Sequence, residues 1–480
     1  MPKEILINVS PQEKRVAIVK DGRLEEYYIE RPQDKTIVGN IYKGKIEAVM
    51  PSIGAAFVDI GLPKKGFLYL SEIENTYESI ELPRSILEVK KEKGQTVLVQ
   101  VVKEPFGNKG PRLTCNIGLA GRYLVLMPLE NQIGVSRRIE DEEERRRLKN
   151  ILQELKLPSN LGFIIRTAAC GKTKRELSYD AYFLIKLWRR LEKTIAKSPT
   201  PSIIYKEYDL ALRVIRDSFT EDVDRLIVDS KNEFYRLKRF MCTFLRHLTN
   251  RLVFYRGSDL FAEKDIERQI NAIFTSKVYL KSKAYIVIEP TEGLVVIDVN
   301  SGGFKKKLEQ EETAFRVNCE AAEEIAHQLR LRDLGGIIVI DFIDMEKESH
   351  RRQVLQTLKN ALSEDKAKYD ILGISKFGLV EMTRERIHNT VQTLTFQPCP
   401  YCQGRGRVKS TLTMSIYAQK EIKKFCESKR PREITITLNP LVVEEILKDK
   451  NNIAQIERQY RAKINIIPNQ SFKIEDIEIA

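Results

Sequence analysis

Gly293-Leu-Val-Val-Ile-Asp298-Val-Asn300-Ser-Gly302 and Gly335-Gly336-Ile-Ile-Val-Ile-Asp341-Phe-Ile-Asp344-Met345 decide the reading of this chain. Each is a short apolar, β-rich run of the kind a central strand carries, and each ends in a carboxylate. Between them Ala314, Val317, Ala321, Ile325 and Leu329 recur every three or four residues and mark one helical face. Gly335 and Gly336 predict where that helix stops. A strand, a helix and a strand joined by a right-handed crossover place the two strands parallel. Asp298 and Asp341 then converge at the C-terminal strand ends, the rim where open α/β sheets bind ligands. Charged side chains are rarely buried unless paired or metal-bound. Two carboxylates at one point therefore predict a hard-cation site, with Mg²⁺ on Asp298 and Asp341, and phosphoryl chemistry. Asn300 shares the face of Asp298 and is placed to hold a phosphate or a water. The competing reading has these carboxylates capping loops or pairing with Arg332 and Lys376.

The bulk composition points the same way. A chain of 480 residues holds roughly three or four compact modules. Its net charge of +14 and isoelectric point near 9.2 are the footprint of a phosphate-bearing partner, against the plainer reading of a soluble basic protein. No apolar run approaches the ~20 residues of a membrane span, and the first thirty residues read as strands without a signal-peptide core. Seven mostly scattered cysteines favour a reducing compartment, by default the cytoplasm.

Along the chain, residues 1–38 read as a hairpin, with Asp21-Gly22 as a further turn signal. Residues 39–115 alternate short strands with Gly and Pro turns, which suggests a compact barrel. Residues 116–207 mix strands with an acidic-basic helix from about Glu140 to Leu155. Helices and strands mix again over 208–273, a βαβ-like pattern fills 274–393, and a small αβ unit follows residue 409.

Cys399-Pro-Tyr-Cys402-Gln-Gly404-Arg-Gly406 has the form of a zinc knuckle. Zinc takes four ligands and this chain supplies one Cys-x-x-Cys pair, so Cys399 and Cys402 predict Zn²⁺ shared across a two-fold homodimer. An ordinary loop and a glutaredoxin-type dithiol are the competing readings; the dithiol is expected to follow a strand and open a helix, which this context does not. Cys115, Cys170, Cys242, Cys319 and Cys426 are expected to be buried small hydrophobes.

The barrel region carries Phe57 and Phe67 with Lys43, Lys45 and Lys109, the aromatic and cationic parts from which single-strand platforms are built. Either phenylalanine is as well placed in a core. Arg166-Thr167 at a strand end offers a guanidinium fork and a hydroxyl suited to a phosphate, against the alternative of a surface ion pair.

Together these segments resemble the ribonuclease E/G family of bacterial endoribonucleases, over essentially the whole chain and in the same order. The resemblance rests on Asn40-Ile-Tyr-Lys-Gly-Lys, Ala55-Ala-Phe-Val-Asp, Gly121-Arg-Tyr-Leu-Val-Leu-Met-Pro, Ser136-Arg-Arg-Ile and Arg166-Thr-Ala. It continues through Asp298-Val-Asn-Ser-Gly, Glu312-Thr-Ala-Phe, Gln328-Leu-Arg-Leu-Arg-Asp-Leu-Gly-Gly, Ile340-Asp-Phe-Ile-Asp-Met, Phe377-Gly-Leu and the knuckle. In length the chain is similar to the shorter, tail-less members.

The resemblance implies a multidomain α/β architecture. An RNase H-like subdomain (1–38 with 208–273) holds an inserted OB-fold (39–115) and a 5′-sensor region (116–207). A DNase I-like catalytic subdomain (274–393), a zinc link (394–408) and a small αβ C-terminal domain (409–480) follow. It implies catalytic Asp298, Asp341 and Asn300, RNA contacts at Phe57, Phe67 and Lys109, and a 5′-monophosphate pocket of Arg166, Thr167, Gly121 and Val125. Two departures stand out. Gly303-Phe304-Lys305 stands where the family often has an arginine, and Cys170 occupies a sensor-loop position expected to be polar.

The implied function is a Mg²⁺-dependent endoribonuclease that cleaves single-stranded RNA, favours 5′-monophosphorylated ends and leaves 5′-phosphate and 3′-hydroxyl products. Its setting is rRNA processing and mRNA decay, in a bacterial cytoplasm or an organelle of bacterial origin, as a zinc-linked homodimer or a dimer of such dimers. The alternatives are a non-catalytic RNA-binding scaffold and, more distantly, a DNA nuclease.

Overall fold

A computed structural model describes residues 2–32, 36–72, 94–105, 109–291, 293–302, 310–363, 365–375, 378–385, 391–448 and 450–480. The chain divides into two compact units, residues 1–394 and 395–480.

In the first unit the opening residues form three antiparallel strands, Lys3–Val9, Lys14–Lys20 and Arg23–Glu30. Two strands from far along the chain, Arg225–Val228 and Leu252–Phe254, add in parallel beside Lys3–Val9. The segments around residues 3–30 and 225–254 are thus one five-stranded sheet. Its apolar faces are buried on both sides, Ile5 and Ile7 in one core and Leu6 in another.

Between these segments lies a closed five-stranded barrel of Ile41–Met50, Ala55–Asp59, Gly66–Tyr69, Arg112–Thr114 and Thr96–Lys103. Pairing of the first of these strands with the last closes the ring. Closure needs a small residue where walls approach: a Cβ on Gly44 would lie 2.6 Å from Val58 Cγ1. A four-stranded sheet of Ile133–Val135, Gly162–Ile165, Leu124–Met127 and Leu119–Ala120 follows. The helices Glu142–Glu154 and Lys174–Lys197 contribute Leu148, Leu152, Leu177, Leu184 and Trp188 to the core it shares. Thr173 and Glu176 start the second helix as a reciprocal capping box.

The last part of the unit is a six-stranded sheet with Leu294–Asn300 and Gly336–Asp341 as its two central strands. They run parallel, joined by the helix Gln310–Leu331. That helix ends differently from expectation. Asp333, not a glycine, takes the left-handed conformation (φ 46°), and Leu334 N–H donates to Leu329 O as Asp333 N–H donates to Arg330 O. These are the two bonds of a Schellman cap. Gly336 instead opens the next strand at φ 102°.

The helices Gln310–Leu331 and Glu348–Leu362 pack on one face of this sheet against Val295, Ile297, Val299, Ile338, Ile340 and Val380. The opposite face is open, with Ile337 52% exposed. A run that reads as buried on both faces is therefore buried on one.

The second unit is a three-stranded sheet, Lys463–Pro468, Glu433–Leu438 and Ile477–Ile479, with helices Thr411–Lys429, Pro440–Lys448 and Lys450–Tyr460.

Candidate active site and RNA interface

Asp298 and Asp341 are direct partners in the register of the two central parallel strands. Residues opposite one another on neighbouring strands project to the same face, about 4.8 Å apart. Both carboxylates lie on the open face and are exposed, which corrects the expectation of a buried pair. Asn300 belongs to the same constellation: its Nδ2 donates to Asp298 Oδ2 at 2.7 Å. It orients a carboxylate here.

The carboxyl of Asp341 is pushed above the usual carboxylate range, by its partial burial first and then by the charges of Asp298 and Asp344. Asp344, three residues on in the same motif, adds its charge to the pair. Among the described residues, neither Asp298 nor Asp341 has an ion pair. Arg332 turns away from them and donates to Gln328 Oε1 and Thr275 O. Lys376, Phe377 and Gly303-Phe304-Lys305 lie outside the described residues. Like charges held side by side without a protein cation are a donor set that fits a hard divalent ion. Among the described residues no group of three or more His, Cys, Asp or Glu side chains gathers as for a metal; Mg²⁺ is satisfied with two carboxylates.

On the barrel, alternation settles where the phenylalanines face. Ala56, Val58 and Leu68 are buried, whereas Phe57 and Phe67 are half-buried on the outer surface and directly paired across strands. Their rings stand edge to face at 6.0 Å, and Tyr69 continues the row 5.0 Å from Phe67. The Arg112 guanidinium lies over Tyr69 at 4.9 Å. Sequence reasoning missed Tyr69 and Arg112; period two from Phe67 marks Tyr69. Lys109 is exposed, two residues before Pro111, whose carbonyl accepts the Phe67 N–H. Lys43 is otherwise engaged: its Nζ caps the helix Lys174–Lys197 by donating to Ile195 O and Ser198 O.

Arg166, Thr167 and Gly121 come together. Arg166 Nη1 donates to Gly121 O at 2.6 Å and its backbone N–H to Tyr123 O at 2.8 Å. Its other terminal nitrogen pairs with Asp217 at 2.7 Å, so the ion-pair alternative is also realised. Thr167 Oγ1 sits 3.4 Å from Ser136 Oγ. Val125 lies on the adjoining strand, opposite Ile164 and Ala120.

The residue that shapes this loop is one the sequence reading passed over. Asp180, 3% exposed, accepts the backbone N–H groups of Arg122, Tyr123 and Leu124. A Cβ on Gly121 would lie 2.5 Å from its Oδ2, which is why glycine stands there. Asp180 interrupts the apolar stripe Leu177, Ala181, Leu184, Trp188 of its helix, and that interruption is the signal. Burial raises its pKa against the pull of the three amides. Cys170 is exposed, and burial of its thiol together with Glu144 raises its pKa. Cys242 is exposed and Cys319 half-buried, so of the five cysteines expected inside only Cys115 and Cys426 are buried.

In the second unit, Gly406 N–H donates to Cys402 Sγ at 3.3 Å. The amides of Cys402 and Tyr401 hold the Cys399 thiol below its ordinary range. Amide donors aimed at two sulfurs stabilise thiolates, the form in which cysteine binds zinc.

Known proteins resemble this chain over nearly its whole length. The S1 RNA binding domain profile matches residues 35–115, the Ribonuclease E/G family profile residues 118–387, and the RNase E/G, Thioredoxin-like domain profile residues 398–480. Ribonuclease G of Haemophilus influenzae is 40% identical over 486 residues, 99% of each chain. Ribonuclease G of Escherichia coli is 40% identical over 98% of each chain. Ribonuclease E of Escherichia coli is 39% identical over 98% of this chain and 45% of its own. This chain belongs to the ribonuclease E/G family.

Proposed function

We propose that this chain is an endoribonuclease that cuts single-stranded RNA at the Asp298–Asp341 pair with the help of Mg²⁺. The observation that carries the reading is the in-register pairing of two exposed carboxylates on adjacent parallel strands. Asp298 and Asp341 would hold the Mg²⁺, which would supply charge neutralisation at the scissile phosphate and activation of the attacking water.

The chain's own residues do the positioning. Asn300 fixes the rotamer of Asp298 through its 2.7 Å bond. Phe57 and Phe67 offer an outward aromatic row on which bases stack, with Lys109 for phosphate. Arg166 and Thr167, framed by Gly121 and Val125, take a 5′-monophosphate, for which Arg166 exchanges its contact with Asp217. Excess positive charge gathers substrate in a salt-dependent way. Cleavage leaves 5′-phosphate and 3′-hydroxyl ends, in rRNA processing and mRNA decay in a bacterial cytoplasm. We read residues 1–38 with 208–273 as RNase H-like, 39–115 as the OB-fold, 116–207 as the 5′ sensor and 274–393 as DNase I-like. Residues 394–408 are then the zinc link, with Cys399 and Cys402 of two copies completing one Zn²⁺ site in a homodimer, and 409–480 the C-terminal domain.

The test is cleavage of a 5′-monophosphorylated single-stranded RNA with end-group analysis. Asp298→Asn with Asp341→Asn is expected to bind the RNA and not cut it, as is the unaltered chain in EDTA. Cutting by the double variant at the parental rate refutes the site. Binding without cleavage by the unaltered chain at every Mg²⁺ concentration assigns the chain to the scaffold class instead.

A further inference from the structure

The open face of the catalytic sheet carries a second cluster beside the aspartates. The edge strand Lys277–Tyr279 pairs with Tyr285–Pro290, which pairs with the strand of Asp298. The registers line up in two rows: Lys277, Val287, Asp298 and Asp341 in one, Tyr279, Tyr285 and Asn300 in the other. Residues paired this way face one side of a sheet, so both tyrosines and the lysine share the face of the carboxylates.

Tyr285 is next to Asn300, about 5 Å across one strand spacing, and Lys277 is two spacings, about 10 Å, from Asp298. Lys277 Nζ lies 3.5 Å from the Tyr285 ring centre and 5.0 Å from that of Tyr279. The two rings are 6.1 Å apart and inclined by 58°. Tyr279 is 69% exposed. The hairpin that carries Tyr285 passes close to the end of the Asp298 strand: a Cβ on Gly302 would lie 2.7 Å from Lys283 O. Lys281 and Lys283 in that hairpin are exposed.

We propose that Tyr285, Tyr279 and Lys277 form a nucleotide subsite adjoining the cleavage site, which stacks one unpaired RNA base and holds its phosphate. The chemistry is a π-face for any base, with Lys277 as the cation that gives up the ring of Tyr285 for the phosphate. The proposal rests on the reading of Asp298 and Asp341 as the cleavage site. The plainer role of a lysine on an edge strand is to discourage pairing with other chains, and that role makes no demand on cleavage or on the rings.

Two measurements decide it. The first is cleavage kinetics on a short single-stranded RNA. Tyr285→Ala is expected to lower kcat/KM about tenfold or more, and Tyr285→Phe, which keeps the ring, to recover most of that loss. Lys277→Ala is expected to raise KM and flatten the salt dependence. The second is fluorescence of 2-aminopurine placed at successive positions of the RNA, read in EDTA. Quenching is expected at the nucleotide adjoining the cut bond and is expected to be lost in Tyr285→Ala. Activity of Tyr285→Ala within twofold of the unaltered chain, or quenching that persists in it, overturns the subsite. If Tyr285→Ala fails to fold, the surface variant Lys277→Ala with Tyr279→Ala is judged by the same two criteria. Cutting by the Asp298→Asn, Asp341→Asn chain removes the site reading itself. An inert double variant alongside a fully active Tyr285→Ala removes the subsite alone.

Discussion

Replacing Asp180 by alanine is expected to separate the proposed 5′-end pocket from the proposed cutting site. The carboxylate accepts three buried amides: Arg122 at 3.2 Å on Oδ1, and Tyr123 at 2.8 Å and Leu124 at 2.9 Å on Oδ2. A buried donor left without a partner costs about 1–3 kcal/mol. The Arg122 bond is long and weak, so the two Oδ2 bonds dominate. Removing the buried charge returns part of the loss, since burial already raises this carboxyl's pKa. The net cost is about 3 kcal/mol, borne by residues 121–124. That loop supplies Gly121 O and Tyr123 O to Arg166, so its loosening frees the guanidinium. In Asp180→Ala the amides of Tyr123 and Leu124 are expected to exchange about a hundredfold faster, the equivalent of that cost. Preference for 5′-monophosphate over 5′-hydroxyl RNA is expected to fall towards unity, with cleavage of the 5′-hydroxyl RNA within about twofold of the unaltered chain. Asp180→Asn, whose one oxygen serves Tyr123 and Leu124, is expected to lose about 1 kcal/mol and keep the preference. Unchanged exchange in Asp180→Ala, or an intact end preference with accelerated exchange, refutes the link between this carboxylate and the pocket.

Two further outcomes are expected. Asp209 is partly buried, which opposes its charged form, yet hydrogen bonds from Arg236 and Lys14 hold it down at about 2 against 3.8 ordinarily. Its folded pKa is lowered, so its stabilisation is full above about pH 4 and is lost as pH falls through 2. The loss is about 2 kcal/mol, and an acid-unfolding series on Asp209→Asn is expected to lack that part of the slope. For the knuckle, Cys399→Ser with Cys402→Ser, or removal of Zn²⁺ by a chelator, is expected to give monomers by light scattering, and a dimer that survives both rules out a shared site.

How much of this was readable in the sequence follows from range. The Asp298–Asp341 pair was legible because a strand–helix–strand unit with a right-handed crossover leaves one arrangement, and both aspartates sit at matching points of their strands. Their exposure was not, since an apolar run looks alike whether one face or two are covered. The direction of Phe57 needed the register with Phe67, and the roles of Lys43 and Asp217 depend on partners far away in sequence: Lys43 is spent on a helix end about 150 residues on, and Asp217 reaches Arg166 from another element. The stop of the helix at Asp333 is not legible because aspartate takes the left-handed conformation far less often than glycine, and Gly335 and Gly336 follow two and three residues later.

What the sheet would choose for itself argues for what it holds. Opposed like charges weaken a pair of strands, and β-branched residues at positions 298 and 341 would suit two central strands better. Asp344 adds a third negative charge close enough to raise Asp341, and the described residues set no cation against the pair. One hydrogen bond, from Asn300, orients Asp298 without relieving the repulsion. Such a local conflict is expected where function requires it. Among the described residues no positive charge relieves the pair, and a divalent ion that supplied it would turn the same repulsion into binding energy. An RNA phosphate is the partner such an ion would share most readily, because hard cations bridge carboxylate and phosphate oxygens. Tyr285, Tyr279 and Lys277 on the same face would then hold the strand beside that phosphate.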